Sequence, residues 1–172
     1  MKPIWILLLL PIVYVAAVAD TALAARIQVG HAAPDLLALT AVVWLLVGAG
    51  PYGFLVAGAI GLAADLVSPG RVGLGMICFL LAGYAITRLR QRLALDHLFA
   101  QIIVVFGAVT LLAAGIGTGR WLLGEIAVDP ATLLLRSLGV GAYTAGVSLP
   151  LWMVIGWVRE PLLARRRKLA DF

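Results

Sequence analysis

Long runs of apolar residues, separated by short breaks rich in glycine, proline or charge, occupy most of this chain. A helix that crosses the ~30 Å hydrocarbon core of a bilayer needs about 20 such residues. The runs predict six transmembrane helices, over residues 3–25, 35–48, 52–67, 72–87, 97–119 and 131–158, followed by a basic tail over 159–172. The pattern therefore predicts an all-α polytopic membrane protein with a single transmembrane domain.

Two stretches leave alternatives open. Residues 36–64 carry no charge, so a single long helix there would give five spans, whereas the break at Gly48–Pro51 favours six. Lys2, the apolar run after it and the A-x-A pattern at Ala22–Ala24 are also typical of a secretory signal. The apolar run is long for a signal, so we expect an uncleaved first span.

Charge placement predicts the orientation of the helices. Six spans put nine basic residues on the side of the tail and the Arg88–Arg92 loop, and four on the other side. The positive-inside rule places the richer side, with both termini, in the cytoplasm. Five spans give the same nine and four, so the rule does not choose between the two arrangements. Both arrangements keep the tail cytoplasmic.

The net charge of +5 is therefore mostly an orientation signal. We expect the basic residues of the loop and tail to lie on anionic lipid headgroups, and a cytoplasmic partner is the alternative. These residues are Arg88, Arg90, Arg92, Arg165, Arg166, Arg167 and Lys168. No aromatic residue interleaves the tail run, as base stacking would require, so we expect no nucleic-acid binding.

Composition excludes several other classes of protein. Hydrophobic residues make up 63% of the chain and charged residues 12%, against roughly 45–50% and about 25% in soluble proteins. A single cysteine rules out a disulfide framework and a cysteine metal cluster. The short motifs of zinc proteases, serine hydrolases, nucleoside triphosphatases and dinucleotide-binding enzymes are absent. We therefore expect no enzymatic activity, no cofactor and no metal.

Ionisable residues inside spans are costly and indicate a structural or functional role. Asp20 and Asp65 are such residues, while Asp35 and Asp129 precede spans and are expected to cap helix N-termini. We expect the charged residues that lie near the outer leaflet to form one polar cluster, made of Asp20, Arg26, Asp35, Asp65 and Arg71. For Asp65 the alternatives are an ion pair with Arg71 or a cap that fixes the turn, and a polar centre for a partner or ligand.

Small residues recur at helical spacing. At 100° per residue Phe54, Gly58, Gly61 and Asp65 share one narrow stripe, which predicts that Asp65 faces the bundle. Residues spaced by four form three small-residue series: Ala49, Gly53, Ala57 and Gly61; Gly115 and Gly119; and Ala142 and Gly146. Such series permit close helix packing in membranes, either within one bundle or against another protein's helix.

Residues 34–93 also carry an ordered set of short motifs. Pro34 and Asp35 precede an apolar span, Gly53-Phe54 and Gly61-Leu62-x-x-Asp65 follow, Leu74-Gly75 comes after a short turn, and arginines close the next span. This set resembles the rod shape-determining membrane protein MreD family. The chain departs from the family at the turn Gly48–Gly53, where members often carry basic residues and this sequence has none.

The resemblance implies a six-helix bundle similar to the substrate-binding S-components of energy-coupling-factor vitamin transporters. It implies a non-enzymatic subunit of the cell-elongation machinery that binds MreC and acts with MreB, RodA and a class B penicillin-binding transpeptidase to organise peptidoglycan synthesis. We expect the partner surface or structural motif to comprise Pro34, Asp35, Gly53, Phe54, Gly58, Gly61, Asp65, Arg71 and Gly75.

Two other functions stay open. The first is an S-component-like carrier of a small molecule, although the alanines of the first span never fall four apart, as the docking pattern of S-components requires. The second is an intramembrane enzyme, for which no base lies near a nucleophile in the sequence.

Overall fold

The computed structural model describes residues 3–23, 33–47, 50, 52–68, 72–92 and 97–170, with side chains described between residues 11 and 155 of these ranges. The described residues form six α-helices and no strand. The helices are α1 (Pro3–Leu23), α2 (Leu36–Val47), α3 (Gly53–Val67), α4 (Leu74–Arg92), α5 (Leu98–Leu122) and α6 (Pro130–Ala170). This all-helical, six-helix architecture is the one that the apolar runs predict.

The break between α2 and α3 decides the number of helices. The first helix ends at Val47 and the next begins at Gly53, where the Gly53 N–H donates to the Gly50 carbonyl at 2.9 Å in a tight turn. The five-helix alternative, with one helix across residues 36–64, is therefore wrong. The expected end of the last span near Val158 is not an end of the helix, since α6 continues to Ala170.

Helix α2 is the centre of the bundle. It contacts each of the other five helices, and seven of its twelve residues are buried. At about 100° per residue, their side chains cover a little more than half of the helix circumference, as expected for a helix that packs against several neighbours. The buried residues are Leu37, Ala38, Leu39, Ala41, Val42, Leu45 and Leu46.

Two antiparallel hairpins complete the bundle. One pairs α3 with α4, and the other pairs α5 with α6; α4 and α5 then join the two hairpins. Phe79 of α4 and Val105 and Val109 of α5 are almost fully buried beside α2. Large apolar side chains on the outer faces, such as Leu111 and Leu135, stay more than 70% exposed. Such an outer surface is typical of a bundle that faces lipid.

The lengths of α5 and α6 differ clearly from those of α2 and α3. Two helical stretches of the described chain, Leu98–Leu122 and Pro130–Ile155, are long and apolar enough to cross a membrane. The apolar helices α2 and α3 have 12 and 15 residues, or about 18 and 22 Å at ~1.5 Å per residue. Both are shorter than the ~30 Å hydrocarbon core, so their ends need partners within the protein.

Candidate functional site

Asp65, in the last turns of α3, caps the N-terminus of α4. Its carboxylate accepts three backbone hydrogen bonds, from the N–H groups of Gly73 at 2.8 Å, Gly75 at 2.9 Å and Met76 at 3.0 Å. These groups have no acceptor within their own helix, because the first turn of a helix leaves its N–H groups unpaired. The negative charge also opposes the positive end of the α4 dipole. Asp65 therefore faces its neighbouring helix, as its stripe predicts.

Glycines bring α3 and α4 into close contact along the same stripe. A Cβ on Gly61 would lie 2.6 Å from the Phe79 Cβ, and one on Gly83 would lie 2.8 Å from the Ala57 Cβ. A Cβ on Gly75 would overlap the Asp65 carboxylate. Separations under 3.0 Å are essentially never seen for real Cβ atoms, so each of these positions requires glycine if the helices stay in place.

The remaining predicted residues of this motif lie around the same contact. A Cβ on Gly58 would meet Leu80 at 3.2 Å, Gly53 is buried at the first turn of α3, and the Phe54 ring meets Tyr84 edge-on with centroids 6.1 Å apart. We call this unit, from Gly53 to Arg92, the glycine-packed hairpin. Its small residues pack within the bundle, which is one of the two alternatives open from the sequence.

The other two small-residue series behave differently from each other. Gly119 packs against Leu74, where a Cβ would lie 2.6 Å from the leucine Cδ1, and Gly115 packs against Cys78. Ala142 and Gly146 instead lie on the exposed side of α6, and a Cβ on Gly146 would meet no atom within 4 Å. Only the first of these two series therefore contributes to packing between described helices.

The N-terminus of α2 receives groups from two other helices. Asp20 of α1 accepts a hydrogen bond from the Leu36 N–H at 2.9 Å, and Asp35 caps its own helix by accepting from the Ala38 N–H at 2.7 Å. The Asp35 N–H in turn donates to Thr144 Oγ1 of α6 at 3.0 Å. Thr144 is fully buried, and so is Pro34, which directly precedes Asp35 in the sequence. We call these groups the α2 clasp.

The structure divides the expected outer-leaflet cluster into separate caps. Asp20 and Asp35 lie together in the α2 clasp, while Asp65 lies on the first turn of α4, and no hydrogen bond is described between the two places. Asp129 caps α6, accepting from the Ala131 N–H at 3.2 Å. The expected partner Arg71 and the expected member Arg26 lie outside the described residues.

Two arginines of the basic loop have partners within the bundle. Arg88 lies over the Tyr84 ring, 5.2 Å from its centroid, and its Nε donates to the tyrosine hydroxyl at 3.1 Å. Arg90 donates from Nη1 to the Leu45 carbonyl at 3.0 Å, and so caps the C-terminus of α2. Arg92 is exposed, and the side chains of Arg165–Lys168 lie outside the described part of the chain.

An apolar groove runs along the outer side of α2, between α1 and α6. It has a volume of about 370 Å³ and is lined along the length of α2 from Leu36 to Val47, including Trp44. Its lining offers no cluster of acidic, basic or metal-ligating groups. Among the described residues, no three His, Cys, Asp or Glu side chains lie close enough together to hold a metal ion. The aspartates of the described residues lie instead at helix ends.

Sequence reasoning missed two members of this arrangement. Thr144 gave no signal, because its partner Asp35 is 109 positions away in the chain. The basic loop predicts that Arg90 contacts lipid headgroups, whereas in the structure Arg90 donates to the Leu45 carbonyl at the end of α2. The shortness of α2 was the available signal, because the unpaired carbonyl groups at the end of a short helix need a donor such as Arg90.

Comparison with known proteins gives one clear match. The family model of the rod shape-determining protein MreD matches residues 1–135, which include α1 to α5 and the first residues of α6. Comparison with curated proteins and with solved structures gives no match. The likeness to S-components therefore stays a prediction from the resemblance alone. The family match covers more than half of the chain and includes the glycine-packed hairpin and the aspartates of the α2 clasp, so the chain belongs to the rod shape-determining protein MreD family.

Proposed function

We propose that this chain is a non-enzymatic membrane subunit of the bacterial cell-elongation complex, where it binds MreC and helps to organise peptidoglycan synthesis and rod shape. The family match supports a role in rod-shape determination. The single structural observation that carries the finer proposal is the glycine-packed hairpin, which lies wholly within the matched residues. Within it Asp65 caps α4 and Arg90 caps α2, so these charged groups have partners inside the bundle, while apolar side chains face outward.

The outward face of this hairpin is the proposed contact surface for MreC. Leu55 and Leu66 of α3 are 54% and 70% exposed, and Ile77 and Leu81 of α4 are 59% and 62% exposed. Binding between membrane helices depends on close, well-shaped packing, because lipid tails are as apolar as leucine. The residues expected to bind the partner, from Gly53 to Gly75, then act by fixing the shape of this face.

The same proposal includes a multi-pass topology in the cytoplasmic membrane. The described aspartates cap α2, α4 and α6 at one end of the bundle, and the Arg88–Arg92 segment lies at the opposite end of α4. That charge distribution suits an outer end and a cytoplasmic end respectively. Helix α2 is too short to cross the core alone, and its contacts with all other helices supply the surroundings that such a helix needs. MreB, RodA and the class B transpeptidase are proposed as members of the same complex.

Co-purification tests the proposal. A tagged chain is solubilised from its own host's membranes, and MreC is measured in the eluate for the wild type and for Gly61→Leu. The leucine collides with Phe79 and displaces the hairpin, so MreC should fall several-fold. Gly146→Leu is the matched control, since its side chain meets open space.

A second variant separates folding from binding. Leu66→Ala with Leu81→Ala leaves the buried face of the hairpin intact, so thermal stability should change little while MreC recovery falls. Absence of MreC from the wild-type eluate, or equal recovery with all variants, would contradict the proposed contact.

A further inference from the structure

The tip of the α5–α6 hairpin contains a second, smaller cavity that the proposed function does not use. It has a volume of about 180 Å³ and lies between Ala113 and Gly117 of α5 and Val140 of α6, with Ile126 and Val128 of the connecting segment over it. Its lining is almost entirely apolar. Arg136 and the buried Ser137 are its two polar residues, and Arg136, the charged one, contributes mainly the aliphatic part of its side chain to the lining.

The position of Arg136 along α6 places it inside a membrane-crossing stretch. It lies six residues after Pro130, the first residue of the apolar stretch Pro130–Ile155, or about 9 Å along the helix. Trp121, 43% exposed in the last turn of α5, marks the level where an indole ring meets the headgroups. An arginine below that level is costly unless its charge meets an anion.

The described residues offer Arg136 no such anion. No hydrogen bond or ion pair is described between its guanidinium and the described part of the chain, and the residue as a whole is exposed. The nearest acidic residue along α6 is Asp129, whose carboxylate caps the helix through the Ala131 N–H. Glu125, in the same connecting segment, has contacts of its own.

We propose that this cavity is a binding site for an anionic phospholipid, with the headgroup phosphate on Arg136 and the upper part of an acyl chain in the apolar cavity. The charge of the phosphate complements the lone arginine, and the extended arginine side chain reaches upward to the headgroup level. The apolar lining excludes a hydrated free anion. The proposal rests on the membrane location given under the proposed function.

Native mass spectrometry of the full chain in a mild detergent measures the site directly. Phosphatidylglycerol is titrated against the wild type, Arg136→Gln and the matched control Arg120→Gln, which removes an arginine near the end of α5 that does not line the cavity. Arg136→Gln should weaken apparent phosphatidylglycerol binding about fivefold, and Arg120→Gln less than twofold. Ala113→Leu fills the cavity and should weaken binding without removing charge.

Three further outcomes complete the test. Inorganic phosphate at the same concentrations should neither bind nor compete, since a free anion gains nothing from the apolar cavity. Equal binding by wild type and Arg136→Gln, or an equal loss with Arg120→Gln, would overturn the site. Failure of the purified wild type to insert into phosphatidylglycerol vesicles would instead refute the membrane location itself, so the two failures are distinguishable.

Discussion

Replacing Asp65, the cap of α4, by alanine should destabilise the bundle more than replacing Asp129, the cap of α6. The substitution removes the acceptor of three backbone N–H groups at the start of α4. Two of these hydrogen bonds, from Gly73 and Gly75, are partly buried, while the Met76 bond is exposed. The cost therefore comes mainly from two donors and from the uncompensated helix dipole.

The magnitude follows from these contacts. Each partly buried donor costs about 1 kcal/mol when its acceptor is lost, and the dipole interaction adds roughly 0.3–1 kcal/mol. The free energy of unfolding should fall by about 2–3 kcal/mol, which for a chain of this length corresponds to a Tm lower by roughly 4–12 °C. Asp65→Asn keeps one acceptor oxygen without the charge, so its Tm should lie between those of the alanine variant and the wild type.

Thermal unfolding of the purified chain in a mild detergent, followed by circular dichroism, measures the effect. Asp129→Ala is the reference, because that carboxylate makes one exposed hydrogen bond of 3.2 Å and should cost less than about 1 kcal/mol. A Tm for Asp65→Ala within 2 °C of the wild type, or no lower than that of Asp129→Ala, would refute the capping argument.

Substitutions at three neighbouring contacts test the same reasoning, two by thermal unfolding and one by amide hydrogen exchange. Gly75→Ala places a methyl group on the capping carboxylate and should lower the Tm as much as losing that carboxylate, whereas Gly107→Ala, which meets open space, should leave it unchanged or raise it slightly. Thr144→Val keeps the side-chain shape but removes the acceptor of the Asp35 N–H, at a cost of about 1–3 kcal/mol, and Thr144→Ser should restore most of it. Arg90→Met removes the donor to the last turn of α2, so amide hydrogen exchange there should become faster while exchange in α5 stays the same.

The stripe on α3 was predictable because it depends only on local geometry. Residues three and four apart share a helix face, and glycine permits close approach of a second helix. Those two rules place Phe54, Gly58, Gly61 and Asp65 against one neighbour, and the structure confirms α4 as that neighbour. The six helices were predictable for a similar reason, since each apolar run and each glycine or proline break is local.

The partner of Asp65 was less accessible to sequence reasoning. Its acceptor role joins it to N–H groups eight to eleven residues later, across a turn whose path no pattern specifies. A nearby arginine made an ion pair an equally reasonable expectation. The sequence therefore indicated that the carboxylate needs a partner. The structure shows the cap, whereas the ion pair lies outside the described residues together with Arg71.

The α2 clasp depends on contacts that no local rule contains. Asp20, Asp35 and Thr144 come from three helices, and their hydrogen bonds span separations of 16 and 109 residues. The sequence predicts a single polar cluster because all of its members lie near the same predicted membrane surface. The structure instead gives α2 and α4 separate caps, with no hydrogen bond described between them.

The length of α2 explains why these polar residues lie inside an apolar bundle. A helix of about 18 Å cannot bring both of its ends to water across a ~30 Å core, and lipid offers no hydrogen bonds to its unpaired N–H and C=O groups. The protein supplies them instead: Asp20 and Asp35 at the N-terminus, and Arg90 at the C-terminus. These charged residues therefore serve the folding of a buried, central helix. A partner that binds within the membrane would meet the apolar outer faces that this framework holds in position, which is the arrangement that the proposed MreC contact requires.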